Sequence, residues 1–357
     1  MNKNSFKKMT SAEIAKLAGV SRSTVSRVIN GYENVPKATH DRVMRVIQEN
    51  NYHPHLSGQL LVGKKTGTLG FFWITGGEGS IVGDDLASSY LVHVVEAAAR
   101  QGYLTLTCIL KNLTCEKNVS WVNKIFMQGR IDAGIFIGSN NDEPLIEELI
   151  RGGNIVGIFD HYHLDKNEPN RISVNYEEDT VAKIIEYLHG LGHRKIALLH
   201  GDGGGMNRYS LMKRKETFLD TMRLYGMEIR PEWVHFGGIE ESTGYRAAKY
   251  MLENIAKLSA ELPTAICVNN DAAAFGVYRA LREAGIRIPH DISVTGIDGH
   301  TRAVDPPLTT YAFDYYEFFS SLVTRTINAV EGDDVPQTEF IKGRLVERGS
   351  CGKKGPR

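Results

Sequence analysis

The stretch from Thr10 to Gly31 constrains this chain more than any other. It reads Thr10-Ser-Ala-Glu-Ile-Ala-Lys-Leu-Ala-Gly19, then Val20, then Ser21-Arg-Ser-Thr-Val-Ser-Arg-Val-Ile-Asn-Gly31, which predicts two short helices joined by a tight turn. Thr10 and Glu13, three residues apart, form a capping box, and Ile14, Leu17 and Ala18 give the first helix an apolar stripe. Gly19 stops that helix, because a left-handed turn brings glycine no steric clash. Val20 plugs the corner, and Ser21 caps a second helix whose apolar face is Val25, Val28 and Ile29. The other face carries Arg22, Ser23, Thr24, Ser26 and Arg27, hydroxyls and guanidinium groups of the kind that bond phosphates and base edges in a major groove. An ordinary solvated hairpin would mix Glu and Lys into that face, yet no acid stands between Glu13 and Glu33. The pattern is a helix-turn-helix with its second helix as the reader.

At 357 residues the chain calls for two or three domains. Its formal net charge is zero, but residues 1–65 hold 11 Lys+Arg against 4 Asp+Glu, and the remainder 31 against 38. A head of +7 on a body of −7 suits a polyanion-binding head whose body avoids the polyanion. The cysteines (Cys108, Cys115, Cys267, Cys351) have no metal-ligand or CxxC spacing and read as reduced thiols of a cytosolic protein. No apolar core precedes a cleavage site at the front, so no secretory signal is expected, and no apolar run approaches a membrane span.

A third helix is expected from about residue 37 to 50, with Val43, Val46 and Ile47 completing a three-helix core. Residues 55–66 form a linker in which Gly58 and Gly63 flank the apolar residues. From Thr66 onward, apolar strand runs at 68–74, 104–109, 133–137, 155–159, 196–200, 264–268 and 293–297 alternate with helical patterns, for instance 88–100, 178–190, 213–225, 242–253 and 273–284. Such alternation predicts parallel sheets covered on both faces, and seven units suggest two lobes.

The segment Ala18-Gly-Val-Ser-x-x-Thr-Val-Ser-Arg-Val-x-Asn30, with Asn51-Tyr-His-Pro54 after the third helix, strongly resembles the DNA-reading head of the lactose-repressor (LacI/GalR) family of bacterial transcription regulators. The resemblance runs from about Thr10 to Ser350. It implies an all-α helix-turn-helix head at 1–54, a hinge helix at 55–66 and a two-lobed, periplasmic-binding-protein-like α/β body with parallel sheets at 67–350, followed by a tail at 351–357. The first lobe would take about 67–172 and 312–338, the second about 173–311 and 339–349. It further implies contacts to operator DNA from Thr10, Ser21, Arg22, Ser23, Thr24, Ser26, Arg27, Asn30 and Tyr52, and a wedge into the minor groove from Leu61. No leucine heptad follows Ser350, so a homodimer is expected rather than a tetramer.

In open parallel sheets, ligands bind beyond the carboxyl ends of strands. Asp160, Asn269-Asn270-Asp271 and Asp298 stand at such ends, and Arg214 follows the glycine-rich loop at 201–205. Singly, each acid and amide reads as a helix cap; together they suit bidentate bonding to vicinal hydroxyls. The resemblance implies that Asp160, Arg214, Asn270 and Asp298 bind a small sugar or related metabolite between the lobes, and that Ile239 stands where many members carry an aromatic platform. Phe72, Trp73 and Tyr162 could supply an aromatic surface instead. Burying such groups unpaired is costly, so an empty cleft is expected to stay open. The glycine-rich loop lacks the lysine and serine of a phosphate-binding loop, and the histidines at 161, 163, 189, 193 and 200 are too dispersed for a metal site. His193 matches a structural Leu-Gly-His motif of the family.

No catalytic constellation and no cofactor are expected. The reading is a cytoplasmic, DNA-binding regulator, a repressor, whose effector either releases or promotes DNA binding. The alternative, a solute-binding protein for sugar transport, shares the body but has no use for residues 10–52.

Overall fold

The structure, a computed structural model, describes residues 9–52, 65–75, 85–161, 168–201 and 207–354. Leu61 and the rest of the expected hinge up to residue 64, Tyr162, His163, residues 202–205 of the glycine-rich loop and residues 355–357 lie outside the described residues.

The head is three helices, α1 (Ser11–Ala18), α2 (Arg22–Ile29) and α3 (Lys37–Glu49). The capping box is present: Thr10 Oγ1 accepts from Glu13 N at 3.3 Å, and Glu13 Oε2 accepts from Thr10 N at 2.8 Å. Gly19 takes φ 63° and ends α1 in the left-handed region. Ile14, Ala15, Ala18, Val25, Val28, Val43 and Tyr52 make the core. Leu17 departs from the expected stripe and is 57% exposed. With α2 and α3 packed against the arc from Ile14 through Ala18 to Ala15, position 17 falls on the solvent side of Ile14.

In the body, β1 (Thr68–Ile74), α4 (Asp85–Arg100), β2 (Leu104–Leu110), α5 (Glu116–Met127), β3 (Ala133–Ile137), α6 (Pro144–Arg151), β4 (Ile155–Phe159) and β5 (Arg171–Tyr176) build the first lobe. The second lobe holds α7 (Thr180–Gly190), β6 (Ile196–His200), α8 (Tyr209–Leu224), β7 (Val234–Phe236), α9 (Glu241–Lys257), β8 (Ala265–Val268), α10 (Asp271–Glu283), β9 (Ser293–Asp298) and β10 (Thr309–Ala312). The chain returns to the first lobe for α11 (Tyr315–Glu331) and β11 (Thr338–Ile341), then ends in the second with β12 (Arg344–Val346). Each lobe carries a six-stranded sheet, ordered β11-β5-β4-β3-β1-β2 and β12-β10-β9-β8-β6-β7. All pairings are parallel except β12 on β10. Strands such as β3, β6 and β8 are buried along their whole length, as a sheet covered by helices on both faces requires.

The lobe boundaries fall later than expected. β5 runs to Tyr176 between β4 and β11, and β11 runs to Ile341, so the crossings lie near 177–179 and 342–343 rather than after 172 and 338. The middle crossing lies at Phe313 and Asp314. One carboxylate, in the first crossing, ties the third to the end of β10: Glu177 Oε1 accepts from Tyr311 Oη at 2.6 Å and from Gly343 N at 2.6 Å, while Lys183 Nζ donates to Glu177 Oε2 at 2.6 Å. Burial pushes the Glu177 carboxyl up, but the Lys183 ammonium, the Tyr311 hydroxyl and the Gly343 N–H outweigh it and hold the group below its ordinary value.

The end of the chain is stitched to the second sheet. Ser350 Oγ accepts from Thr309 N at 2.7 Å and donates to Val294 O at 2.6 Å. His193, fully buried, donates from Nε2 to Gly352 O at 3.0 Å, and its Nδ1 lies 2.9 Å from Thr264 Oγ1. Burial lowers its pKa to about 4, so it sits neutral.

Candidate functional site

Two regions collect the residues singled out from the sequence. On α2, Arg22, Ser23, Ser26 and Arg27 are exposed, Thr24 and Asn30 half-buried, and no acid lies in the first turn. Ser21 Oγ accepts from Thr24 N at 3.1 Å and lies 2.7 Å from Ser23 Oγ, so the cap also holds the hydroxyls at the start of the helix in one cluster. Asn30 Nδ2 donates to Ser26 Oγ at 3.3 Å. Thr10, exposed at the start of α1, spends its hydroxyl on Glu13. Tyr52 departs from expectation: it is 7% exposed and packs with Ile14 and Val43, so its ring secures the core of the head. The face that α2 presents to solvent is therefore short, rigid, cationic and rich in donors.

The second region is a cleft of about 960 Å³ between the lobes. Asp160, Arg214, Asn270 and Asp298 all line it. Asp160 follows β4 with φ 61°, a left-handed conformation that turns its carboxylate across to the other lobe. There Oδ1 accepts from Ser210 N at 2.9 Å and Oδ2 from Ser210 Oγ at 2.7 Å, so Asp160 caps the first turn of α8 from the opposite lobe. The expected open cleft assumed an unpaired acid here; Ser210 removes that cost. Further interlobe bonds join Asn141 N to Asn207 O at 2.6 Å and Arg208 Nη2 to Gly138 O at 3.1 Å.

Asn270 has both ends of its amide engaged. Oδ1 accepts from Ala273 N at 3.0 Å and caps α10, and Nδ2 donates to Ile239 O at 2.8 Å. Asp298, at φ 124°, accepts from Tyr315 Oη at 2.8 Å, and the Tyr315 and Tyr176 hydroxyls lie 3.1 Å apart. Burial and the Asp298 charge push both tyrosine pKa values up, so the hydroxyls stay protonated as donors. Arg214, 7% exposed, lies over the Tyr176 ring at 4.7 Å and donates from Nη1 to Asn269 O at 2.6 Å. Its Nε and Nη2 are buried without a partner among the described residues. Behind the site, Asp271 accepts from Gly299 N, His300 N and Thr310 Oγ1 and so fixes the turn after Asp298. Burial and the neighbouring Asp298 push its carboxyl up, and these three donors pull it back.

Sequence reasoning missed Arg208, Ser210, Tyr90, Tyr176 and Tyr315. Arg208 and Ser210 open the helix after a strand and its loop, and that position was the available signal. The tyrosines sit beside the crossings and become a wall only through long-range packing: Tyr90 lies 4.6 Å from Tyr315 and stacks on Trp73 at 6.0 Å. Trp73 lines the cleft as an aromatic surface, whereas Phe72 is fully buried against Phe126 and Phe136, and Ile239 also lines the cleft. Among the described residues no three His, Cys, Asp or Glu side chains stand where they could hold a metal ion, and no helix is long and apolar enough to cross a membrane.

Residues 10–55 match the family described as bacterial regulatory proteins, lacI family, and residues 185–351 match the periplasmic binding protein-like domain. The chain is 31% identical over 304 residues to the HTH-type transcriptional repressor PurR of Vibrio vulnificus, across 84% of this chain and 86% of that one. It is 26% identical over 343 residues to the HTH-type transcriptional regulator AscG of Escherichia coli, across 96% and 98% of the two chains. Of solved structures, the Lac repressor dimer bound to operator and the anti-inducer ONPF aligns with a TM-score of 0.75 at 26% identity, covering 96% of this chain and 99% of that one.

Proposed function

This chain belongs to the lacI family of bacterial regulatory proteins, and we propose that a small polyhydroxy metabolite held between its lobes sets how tightly α2 grips operator DNA. It is a transcription regulator, a ligand-controlled repressor with a DNA-binding head and an effector-binding body, and it works as a homodimer in the cytoplasm, by binding rather than by catalysis. Residues 1–54 act as the reading head, 55–66 as the hinge and 67–350 as the body. Arg22, Ser23, Thr24, Ser26, Arg27 and Asn30 face the operator, with Thr10 and Ser21 at the helix starts beside the phosphates.

One observation carries the effector reading: Asp160 from one lobe and Arg214 and Asp298 from the other line a single cleft. A ligand that bonds across it changes the free energy of one lobe arrangement relative to another, and only such a differential shifts the operator-bound population. A typical coupling is about 1–3 kcal/mol, or about 5- to 150-fold in operator affinity.

The test is a thermal-shift screen of sugars, sugar acids and sugar phosphates on the full chain, followed by operator titrations with each stabilising compound. Compounds that raise the melting temperature should change operator affinity in the same order. A compound that stabilises through the cleft and leaves operator affinity untouched would contradict the coupling.

A further inference from the structure

The three arginines that line the cleft differ in their partners. Arg302, at its rim, pairs with Glu241 at 2.5 Å. Arg171, buried elsewhere in the first lobe, pairs with Glu147 at 2.8 Å and Glu168 at 2.7 Å. Arg208 and Arg214, six residues apart at the start of α8, pair with no carboxylate among the described residues. The bonds they make go to neutral carbonyls, Gly138 O and Asn269 O. Three of their nitrogens, Arg208 Nε and Arg214 Nε and Nη2, are buried without an acceptor among the described residues.

The acids that could answer them are committed elsewhere. Asp160 is the first charge acting on Arg208, but Ser210 occupies both of its oxygens. Asp298 takes the Tyr315 hydroxyl, and Asp271 is saturated by its three donors. Desolvation works against the Arg208 charge. Arg214 is buried and Arg208 half-buried, and guanidinium N–H groups kept from water without an acceptor cost the fold free energy that a bound anion would return. A neutral sugar offers hydroxyl acceptors only, whereas an oxyanion brings the opposite charge and can engage guanidinium N–H groups in pairs. Arg208 is also the N-cap residue of a 16-residue helix, whose dipole favours negative charge there. Opposite them, Trp73 and Tyr90 offer a flat apolar surface for a ring.

We propose that the effector of this protein is a polyhydroxy compound bearing an oxyanion, a carboxylate or a phosphate, and that Arg208 selects it by receiving that group together with Arg214. The inference rests on the reading of the cleft as the effector site. Arg208 and Arg214 take the anion and set specificity, while Asp298 holds the hydroxylated frame.

The test uses the full chain labelled with 15N-arginine, following the Nε–H signals of Arg208 and Arg214 during titration with three probes: D-glucose, D-glucuronate and inorganic phosphate. Both signals should move with glucuronate, with phosphate, or with both, at about tenfold lower concentration than with glucose. Movement with glucuronate alone assigns a carboxylate, and movement with phosphate alone assigns a phosphate. In Arg208→Gln the anion preference should vanish at the remaining Arg214 signal, and in Arg208→Lys it should persist in weakened form. Signals that stay still for both anions, or that respond to glucose as readily, overturn the proposal, and so does an anion response unchanged in Arg208→Gln, which would place the anion elsewhere. The wild-type signals decide the matter even if a variant fails to fold. Neutral sugars that bind the cleft and alter operator affinity would leave the effector site standing while this inference fell.

Discussion

The head and the cleft use the same side chain in opposite ways. On α2, Arg22 and Arg27 stand in water, supported by a helix whose core is seven residues deep in the head. On α8, Arg214 is buried and two of its three nitrogens have no acceptor among the described residues. The difference separates two kinds of recognition. Exposed guanidinium groups cost nothing to maintain and gain by releasing counterions from a polyanion, so their contribution weakens with salt. Buried ones carry a desolvation cost at all times and repay it only with a ligand of the right shape, so their contribution is specific and salt-resistant.

The largest expected effect tests the buried side. Arg214→Ala should weaken effector binding by about 3 kcal/mol or more, as loss of a desolvated charged contact does, and leave operator affinity of the ligand-free protein within twofold. The melting temperature of the ligand-free variant should not fall, because the mutation removes an uncompensated charge. Calorimetry with an identified effector and a melting scan check both halves. A large loss of stability would mean that Arg214 is a structural strut and would erase the contrast.

Next comes pH. His193 titrates near 6.5 when unfolded and is lowered to about 4 in the fold. Its contribution is fully present above pH 6.5 and drains away as pH falls to about 4, because over that interval the unfolded chain binds the extra proton. The loss should approach about 3 kcal/mol in the body. Denaturant unfolding followed at Trp73, Trp121 and Trp233, all in the body, should show it, and His193→Gln should flatten the slope. If the slope survives that substitution, the pH sensor lies elsewhere.

On the exposed side, Arg22→Ala should relax base preference at one operator position by about 1–3 kcal/mol, and Arg27→Ala should weaken all sequences alike and reduce the salt slope by about 1. Binding selections at two salt concentrations separate the two roles; identical profiles for both variants would merge them. The smallest effect is Thr10→Ala, which removes the cap seen at Glu13 N and should cost the head about 1 kcal/mol while leaving effector affinity unchanged. A change in effector affinity would show the two regions to be less separable than their chemistry suggests.

Seven strands were legible because each carries a cluster of apolar residues, although β2 proves largely exposed, and the reading helix because its caps, glycine and hydroxyls are local signals. β5 was not, since Arg171, Ser173 and Asn175 break the apolar pattern and draw partners from residues distant in sequence, such as Glu147 and Thr338. Asn270 looks the same in sequence whether it caps a helix or binds a ligand, and its side chain is already committed to Ala273 and Ile239. Tyr52 shows the converse: a motif position that the resemblance assigns to DNA is occupied by a core residue here. Arg208 offered only its place at the start of a helix after a strand, because what distinguishes it is the lack of a carboxylate partner among the described residues, which no spacing encodes.

The joint at Glu177, where the first and third crossings meet the end of β10, has a mechanical meaning. A joint pinned at one point passes rotation and resists sliding, so a swing of one lobe on the other would turn about an axis near that carboxylate. Displacement then grows with distance from the axis: a turn of about 10° carries a point about 30 Å away through about 5 Å, on the scale of known interdomain rotations. Side chains near the joint shift least and those at the far ends of the lobes shift most. The protein is geared accordingly, with fine adjustment where a small molecule is held and long travel at the ends of the levers.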